Sequence, residues 1–159
     1  ACNHLTGPVY IRFGREPMPD FTTEEMEFVP GKAQLLHPGN DLSILATGHM
    51  TWEALNAARM LGEQGIHARV INIHTIKPLD EEMIIRAARE TPMIITAEEH
   101  QVAGGLGSAV AEVVVKNHPV PMHFIGMHDH FGESGQPAEL MEKFGMTARS
   151  IFETAIKWL

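Results

Sequence analysis

Glu98-Glu99-His100 is the first of two short acidic and histidine-containing clusters with side chains suited to catalysis or metal binding. It follows a predicted strand over 93–97, and α/β sheets place functional groups at the carboxyl ends of their strands. Two carboxylates and an imidazole could hold a metal ion or act as an acid–base pair. Adjacent residues of an extended chain point to opposite faces, however. The cluster could equally cap a helix, contact another subunit or form a solvated corner.

His128, Asp129 and His130 form the second cluster, directly before Phe131-Gly132-Glu133-Ser134-Gly135. Their spacing does not match a standard zinc signature. The chain contains ten histidines, so two of them close together are weak evidence for a site. Because the segment precedes a predicted helix, we interpret it chiefly as a structural loop.

A glycine cluster, Gly104-Gly105-Leu106-Gly107, lies between a predicted strand and a predicted helix. Free backbone N–H groups at such a turn can bind phosphate. The cluster has neither the spacing of a dinucleotide-binding fingerprint nor the Lys-Ser/Thr of a P-loop. Close packing of the turn is therefore the favoured interpretation, with phosphate binding as the alternative.

Arg12 and Arg15 flank Phe13-Gly14 at the end of the first predicted strand. Two guanidinium groups there could hold a phosphate or a carboxylate through paired hydrogen bonds. A surface or interdomain ion pair is the alternative. No segment supplies a complete catalytic constellation, because no nucleophile has an evident base beside it.

The composition excludes several classes of protein. The chain has 159 residues, and its net charge of −8 argues against general nucleic-acid binding. One cysteine, Cys2, cannot build a disulfide framework, which favours a cytoplasmic location. No apolar run approaches the roughly 18 residues of a membrane span, and no signal peptide is evident. The first residues do not resemble a natural N-terminus, so we expect a fragment of a longer chain.

Strand and helix patterns alternate from residue 41 onward. The predicted strands are 7–13, 33–37, 42–47, 67–73, 93–97 and 120–125, and the predicted helices are 51–64, 81–90, 104–116, 137–144 and 147–158. Thr51, Asp80 and Thr147 are the predicted helix N-caps. The alternation predicts an α/β fold, a three-layer α/β/α sandwich with a mostly parallel sheet.

Several segments, taken together and in order, resemble the transketolase family. They are Gly7-Pro8-Val9-Tyr10-Ile11-Arg12-Phe13-Gly14-Arg15, His74-Thr75-Ile76-Lys77-Pro78-Leu79-Asp80, Glu98-Glu99-His100 with Gly104-Gly105-Leu106-Gly107, Phe131-Gly132-Glu133-Ser134-Gly135, Ala138-Glu139-Leu140 and Phe144-Gly145-Met146-Thr147-Ala148. The resemblance covers essentially the whole chain. It implies that residues 1–32 are the tail of a preceding pyrimidine-binding domain plus a linker, and that residues 33–159 are the C-terminal domain of the family.

The same resemblance implies a function for the intact enzyme. That function is the transfer of two-carbon ketol units between sugar phosphates with thiamine diphosphate and magnesium. The family's Gly-Asp-Gly…Asn segment for magnesium and diphosphate has no counterpart here, nor has the glutamate that activates the cofactor. We therefore expect this chain to be inactive alone and to bind neither cofactor nor metal. Arg15, with Arg12 as second choice, matches the family's substrate-phosphate arginine.

The resemblance also implies a homodimer or an assembly with an N-terminal cofactor-binding section. Related enzymes share this domain, so a deoxyxylulose-phosphate synthase and a 2-oxo acid dehydrogenase beta subunit remain alternatives. A regulatory module that binds a partner subunit or a small anion is a further alternative, because fold alone does not fix function.

Overall fold

The computed structural model describes residues 6–11 and 17–159. The strands are β1 (Gln34–His37), β2 (Leu42–Ala46), β3 (Ala68–Asn72), β4 (Ile94–Gln101) and β5 (Met122–Met127). The helices are α1 (Met50–Gly62), α2 (Glu81–Glu90), α3 (Leu106–Asn117), α4 (Pro137–Lys143) and α5 (Ala148–Trp158). The strands form one sheet in the order β1-β3-β2-β4-β5. β1 joins β3 antiparallel, and the other three pairings are parallel.

Helices cover both faces of this sheet, which confirms the predicted three-layer sandwich. α1 and α5 pack on one face around a core that includes Ile44 and Ile151. α2 and α3 pack on the other face around a core that includes Ile71 and Val110. All five residues of β2 are buried, since this central strand has helices on both sides. No helix within residues 6–11 and 17–159 is long and apolar enough to cross a lipid bilayer.

Two of the three predicted N-caps are confirmed. Asp80 accepts a hydrogen bond from the backbone N–H of Met83 at 3.2 Å, and Thr147 accepts one from that of Ser150 at 3.3 Å. Thr51 was wrongly predicted, because α1 begins one residue earlier at Met50. The hydroxyl of Thr51 is buried and lies 3.3 Å from the side-chain oxygen of Asn72 in β3. A tertiary contact has taken the place of the cap.

The predicted strand over 7–13 is absent from the described part of that segment, since residues 6–11 form no strand. A strand needs a neighbour for its backbone hydrogen bonds, and residues 6–11 do not join the five-stranded sheet. β4 runs four residues beyond its predicted end, because Gln101 pairs with Met127 of β5. The extension places Glu98-Glu99-His100 inside a strand rather than after it.

Candidate functional site

The order of the strands creates a crevice at the carboxyl ends of β2 and β4. From β2 the chain passes through α1 to β3 on one side, and from β4 it passes through α3 to β5 on the other. Open α/β sheets bind ligands at such a switch point, because the two connections diverge there. The register of β2 with β4 ends at Ala46 and Ala97, where the backbone N–H of Thr47 donates to the carbonyl of Ala97.

His49 and Glu99 bridge this crevice. The imidazole Nδ1 of His49, just before α1, lies 3.0 Å from the carboxylate Oε2 of Glu99 in β4. The two side chains are 42% and 52% exposed, so both remain accessible to a ligand. Contact between Nδ1 and a carboxylate orients the imidazole and leaves its Nε2 pointing elsewhere. The pair could hold a polar group of a ligand or exchange a proton with it.

Two clefts meet at this pair. The larger, of about 780 Å³, extends over α1 and α4, and its lining includes Trp52, Met127 and Met141. The smaller, of about 530 Å³, extends toward the glycine turn before α3. His49 and Glu99 line both clefts. An apolar wall beside a few converging polar groups is typical of a small-molecule site.

Glu98 lines the smaller cleft, and its carboxylate closes the N-terminus of α3. Its carboxylate is 1% exposed and accepts hydrogen bonds from the backbone N–H groups of Leu106 at 2.6 Å and Gly107 at 2.8 Å. A carboxylate at this position satisfies the N–H groups that a phosphate would need. The phosphate-binding interpretation of the glycine turn is therefore wrong, and helix capping is the correct interpretation for Glu98.

Packing explains two of the three glycines of the turn, whereas Gly104 has a positive φ of 80°. A Cβ atom at Gly105 would collide with the carboxylate of Glu98, and one at Gly107 would lie 2.5 Å from the ring of Phe124 in β5. The favoured interpretation of a closely packed strand-to-helix turn is confirmed.

Glu98, Glu99 and His100 do not converge. His100 is 64% exposed, and its Nδ1 contacts the carbonyl oxygen of Gln101 at 2.9 Å. The distance from that nitrogen to Glu98 Oε2 is 3.9 Å. Within residues 6–11 and 17–159, no three His, Cys, Asp or Glu side chains are grouped so that they could hold a metal ion.

The loop with the second histidine cluster is held by its neighbours. The side-chain oxygen of Gln101 accepts from the backbone N–H of Asp129 at 2.9 Å, and its amide nitrogen donates to the carbonyl of His130 at 3.2 Å. Lys143 of α4 pairs with Glu133 at 2.6 Å. These contacts confirm the interpretation of the segment as a structural loop.

His74 follows β3 at the same end of the sheet and packs against the chain before β1. Its ring lies 4.4 Å from the ring of Phe28, and its Nδ1 lies 2.8 Å from the hydroxyl of Thr75. Its buried Nε2 has no hydrogen-bond partner in the described part of the chain. Burial lowers the pKa of His74 below its ordinary value of 6.5, because the charged imidazole loses hydration.

Sequence reasoning missed His49 and Trp52 as site residues. The signal that could have found His49 was its place just after the central strand, where a switch point puts functional groups. Arg12 and Arg15, the predicted phosphate-binding residues, lie outside the described residues. Their role therefore stays a prediction.

Comparison with known proteins identifies the family. A family model described as "Transketolase, C-terminal domain" matches residues 31–151. The chain belongs to the transketolase C-terminal domain family. This confirms the resemblance seen in the sequence motifs.

Proteins similar to this member of the transketolase family include a transketolase subunit and a synthase. A 6-deoxy-6-sulfo-D-fructose transketolase subunit from Clostridium sp. (strain MSTE9) is 52% identical over 94% of this chain and 46% of its own length. A 1-deoxy-D-xylulose-5-phosphate synthase from Heliobacterium modesticaldum is 40% identical over 94% of this chain and 24% of its own length. The chain thus spans less than half the length of these relatives.

A solved structure described as "Split gene transketolase, inactive beta4 tetramer" is 46% identical to this chain. It superposes with a TM-score of 0.90 over 96% of this chain and 50% of its own. The α/β fold of this chain is therefore that of a transketolase C-terminal domain.

Proposed function

We propose that this chain is the C-terminal part of a thiamine-diphosphate-dependent enzyme that transfers two-carbon ketol units between sugar phosphates. The observation that carries the proposal is the 52% identity to a subunit of a sugar-derivative transketolase over 94% of the chain. That subunit is about twice as long as the part matched here. The function accordingly belongs to a larger assembly, in which this chain is not catalytic alone.

The described residues do not fit thiamine diphosphate or its magnesium ion. The N–H groups at the N-terminus of α3 already hold Glu98, whose carboxylate would repel a diphosphate. The described part of the chain also offers no cluster of three metal-ligating side chains. We propose that other domains of the intact enzyme bind the cofactor and that this chain supports their assembly.

We further propose that residues 1–32 are the tail of a preceding pyrimidine-binding domain plus a linker, and that residues 33–159 are the C-terminal domain. In this arrangement Arg15, with Arg12 as second choice, binds the phosphate of the sugar substrate. The assembly is a homodimer or a complex with an N-terminal cofactor-binding section.

A deoxyxylulose-phosphate synthase is the second candidate. The observation in its favour is the 40% identity to such an enzyme over 94% of this chain. Both candidates use this domain in the same architectural role, so the choice between them depends on the substrate. Product analysis of the reconstituted enzyme separates ketol transfer from condensation with pyruvate.

Titration calorimetry tests the proposed function. Thiamine diphosphate with magnesium is titrated into this chain, into the N-terminal section from the same source, and into their mixture. We expect cofactor binding only where the N-terminal section is present. A separate activity assay should detect ketol transfer in the mixture alone. Cofactor binding by this chain alone would contradict the division of roles. A mixture that binds no cofactor would favour a regulatory module instead.

The phosphate role of Arg15 is tested in the active mixture. Arg15→Ala should raise KM for the sugar phosphate about tenfold, because a charge-assisted paired hydrogen bond is lost. The KM for the same sugar without phosphate serves as the control and should not change. Equal effects on both substrates would show that Arg15 does not bind the phosphate.

A further inference from the structure

The larger cleft combines an apolar wall with acidic groups. Its apolar lining comes from three elements and the chain between them, and includes Trp52, Met127, Met141 and Phe144. Among the described residues, its acidic lining consists of Glu53, Glu99 and Glu133, and its basic lining is His49. A cleft with this balance of charge favours cations over anions.

Glu99 is the carboxylate of the three that is best placed to receive a ligand. Glu53 accepts a hydrogen bond from the backbone N–H of Ala148 at 2.7 Å, which holds it at the start of α5. Glu133 is paired with Lys143 at 2.6 Å. Glu99 is half exposed, and its partner in the described part of the chain is an imidazole, which is charged only when protonated.

Anions are disfavoured at this switch point for a second reason. The N-terminus of α3 lies at the same edge of the sheet and would ordinarily attract a phosphate. Glu98 already satisfies its N–H groups, and its negative charge offsets the positive end of the helix. The usual anionic ligand of an α/β switch point is therefore not expected here.

We propose that the cleft binds a small organic ammonium ion. The charged nitrogen lies at Glu99 and displaces His49 from the carboxylate, and the hydrocarbon part packs against Trp52 and the methionines. An indole ring offers a large apolar surface to the hydrocarbon part, and thioethers adapt to an alkyl chain of varied shape. The site is independent of the thiamine chemistry proposed for the intact enzyme.

A charge series tests the class of ligand. The chain contains two tryptophans, so Trp158→Phe leaves Trp52 as the single indole fluorophore. Butylammonium, butanol and butyrate, which share one alkyl chain, are titrated against Trp52 fluorescence and the indole N–H resonance. We expect butylammonium to bind about fivefold more tightly than butanol. Butyrate should bind more weakly than both. Equal binding of butylammonium and butanol, or no binding of butylammonium, would overturn the proposal.

Variants of the bridging pair separate ligand binding from a structural role. Glu99→Gln should weaken butylammonium binding about fivefold, since the carboxylate charge is lost. His49→Gln should strengthen binding about twofold, because the imidazole no longer competes for Glu99. If the pair only held the two strand ends together, both variants would weaken binding, and that result would contradict the proposal. Glu112→Gln, on the exposed side of α3, is the control and should change nothing.

Discussion

At the scale of single residues, Glu98 is a candidate catalytic residue in the sequence but caps α3 in the structure. The sequence placed it beside another carboxylate and an imidazole, which is the composition of many active sites. The structure turns it toward the two N–H groups at the start of α3. Its neighbour Glu99 contacts His49 instead, because successive residues of β4 point to opposite faces. The alternation of side chains along β4 argued against a joint site for Glu98 and Glu99, and it gives the two residues their different roles.

Replacing Glu98 by glutamine should destabilise the fold by about 2 kcal/mol. The amide oxygen of the glutamine can accept one of the two backbone hydrogen bonds. The amide nitrogen is itself a donor, so it would face the other backbone N–H without being able to accept from it. Urea unfolding monitored by circular dichroism measures the free energy of unfolding. Glu112→Gln, at an exposed position of α3, is the matched control and should change it by less than about 0.5 kcal/mol. A loss no larger than the control's would contradict the capping role.

The depressed pKa of His74 predicts a dependence of stability on pH. The folded state resists protonation of this imidazole, so the unfolded state binds more protons as the pH falls below about 6.5. The stability associated with the neutral ring is therefore complete above that pH and is lost on acidification. His74→Phe keeps a ring against Phe28 and removes the titration.

The pH effect of His74 is measured by comparing variants. The free energy of unfolding should fall less between pH 7.5 and pH 5.5 in His74→Phe than in the wild type, as measured by urea unfolding at both pH values. His118→Gln, at an exposed histidine after α3, controls for the loss of one titratable side chain. Parallel pH profiles for the wild type and His74→Phe would refute the linkage.

At the scale of elements, α3 must approach β4 and β5 more closely than a side chain at Gly107 would allow. Gly107→Ala places a Cβ atom 2.5 Å from the ring of Phe124 and 2.8 Å from the hydroxyl of Thr96. The helix or the ring must move, which should cost about 1–3 kcal/mol. Thermal and urea unfolding measure the loss, and Phe124→Leu in the same chain should restore part of it.

Gly62→Ala is a control that should change stability in the opposite direction to Gly107→Ala. Gly62 is the last residue of α1, and a Cβ atom there would meet nothing within 4 Å outside the adjacent backbone of its own helix. Gly62→Ala should stabilise the protein by up to about 1 kcal/mol through helix propensity. If Gly107→Ala were as benign as Gly62→Ala, close packing of α3 could not explain the glycine turn.

The sequence predicted helix N-caps best where the residues involved are close together in the chain. Asp80 and Thr147 cap the helices that follow them, since each needs only the backbone three residues on. Thr51 also precedes a predicted helix, yet it lies inside α1 and its hydroxyl contacts Asn72 in β3. The competing partner lies 21 residues away in the chain, so no pattern around Thr51 could reveal it. The predicted strand over 120–125 begins two residues before β5, which spans Met122–Met127. Its bounds depend on the pairing with β4, which a local pattern does not show.

At the scale of the whole molecule, the alternation of strands and helices predicted the three layers but not the order of the strands. The bridge between His49 and Glu99 depends on that order, because β2 and β4 are neighbours in the sheet and are separated by β3 in the chain. His49 and Glu99 are 50 positions apart in the sequence. Their types were visible in the sequence, but their proximity required the topology.

The proposed boundary between residues 1–32 and 33–159 is a prediction about the whole molecule. The sheet and all five helices lie within residues 34–158, whereas residues 6–11 and 17–33 contain neither a helix nor a strand. A chain of residues 31–159 keeps the hydrogen bond from the Ala33 N–H to Asp80 at 2.9 Å. It loses the contact between Phe28 and His74, which is worth about 1 kcal/mol.

We therefore expect residues 31–159 to unfold in one cooperative transition, with a melting temperature only a few degrees below that of the full chain. Differential scanning calorimetry of the two proteins measures both the melting temperature and the cooperativity. A second truncation that begins at residue 38 removes β1, uncovers the outer edge of β3 and should abolish cooperative unfolding. If residues 31–159 failed to fold while the full chain did, the first 30 residues would belong to the domain itself, and the proposed division would be wrong.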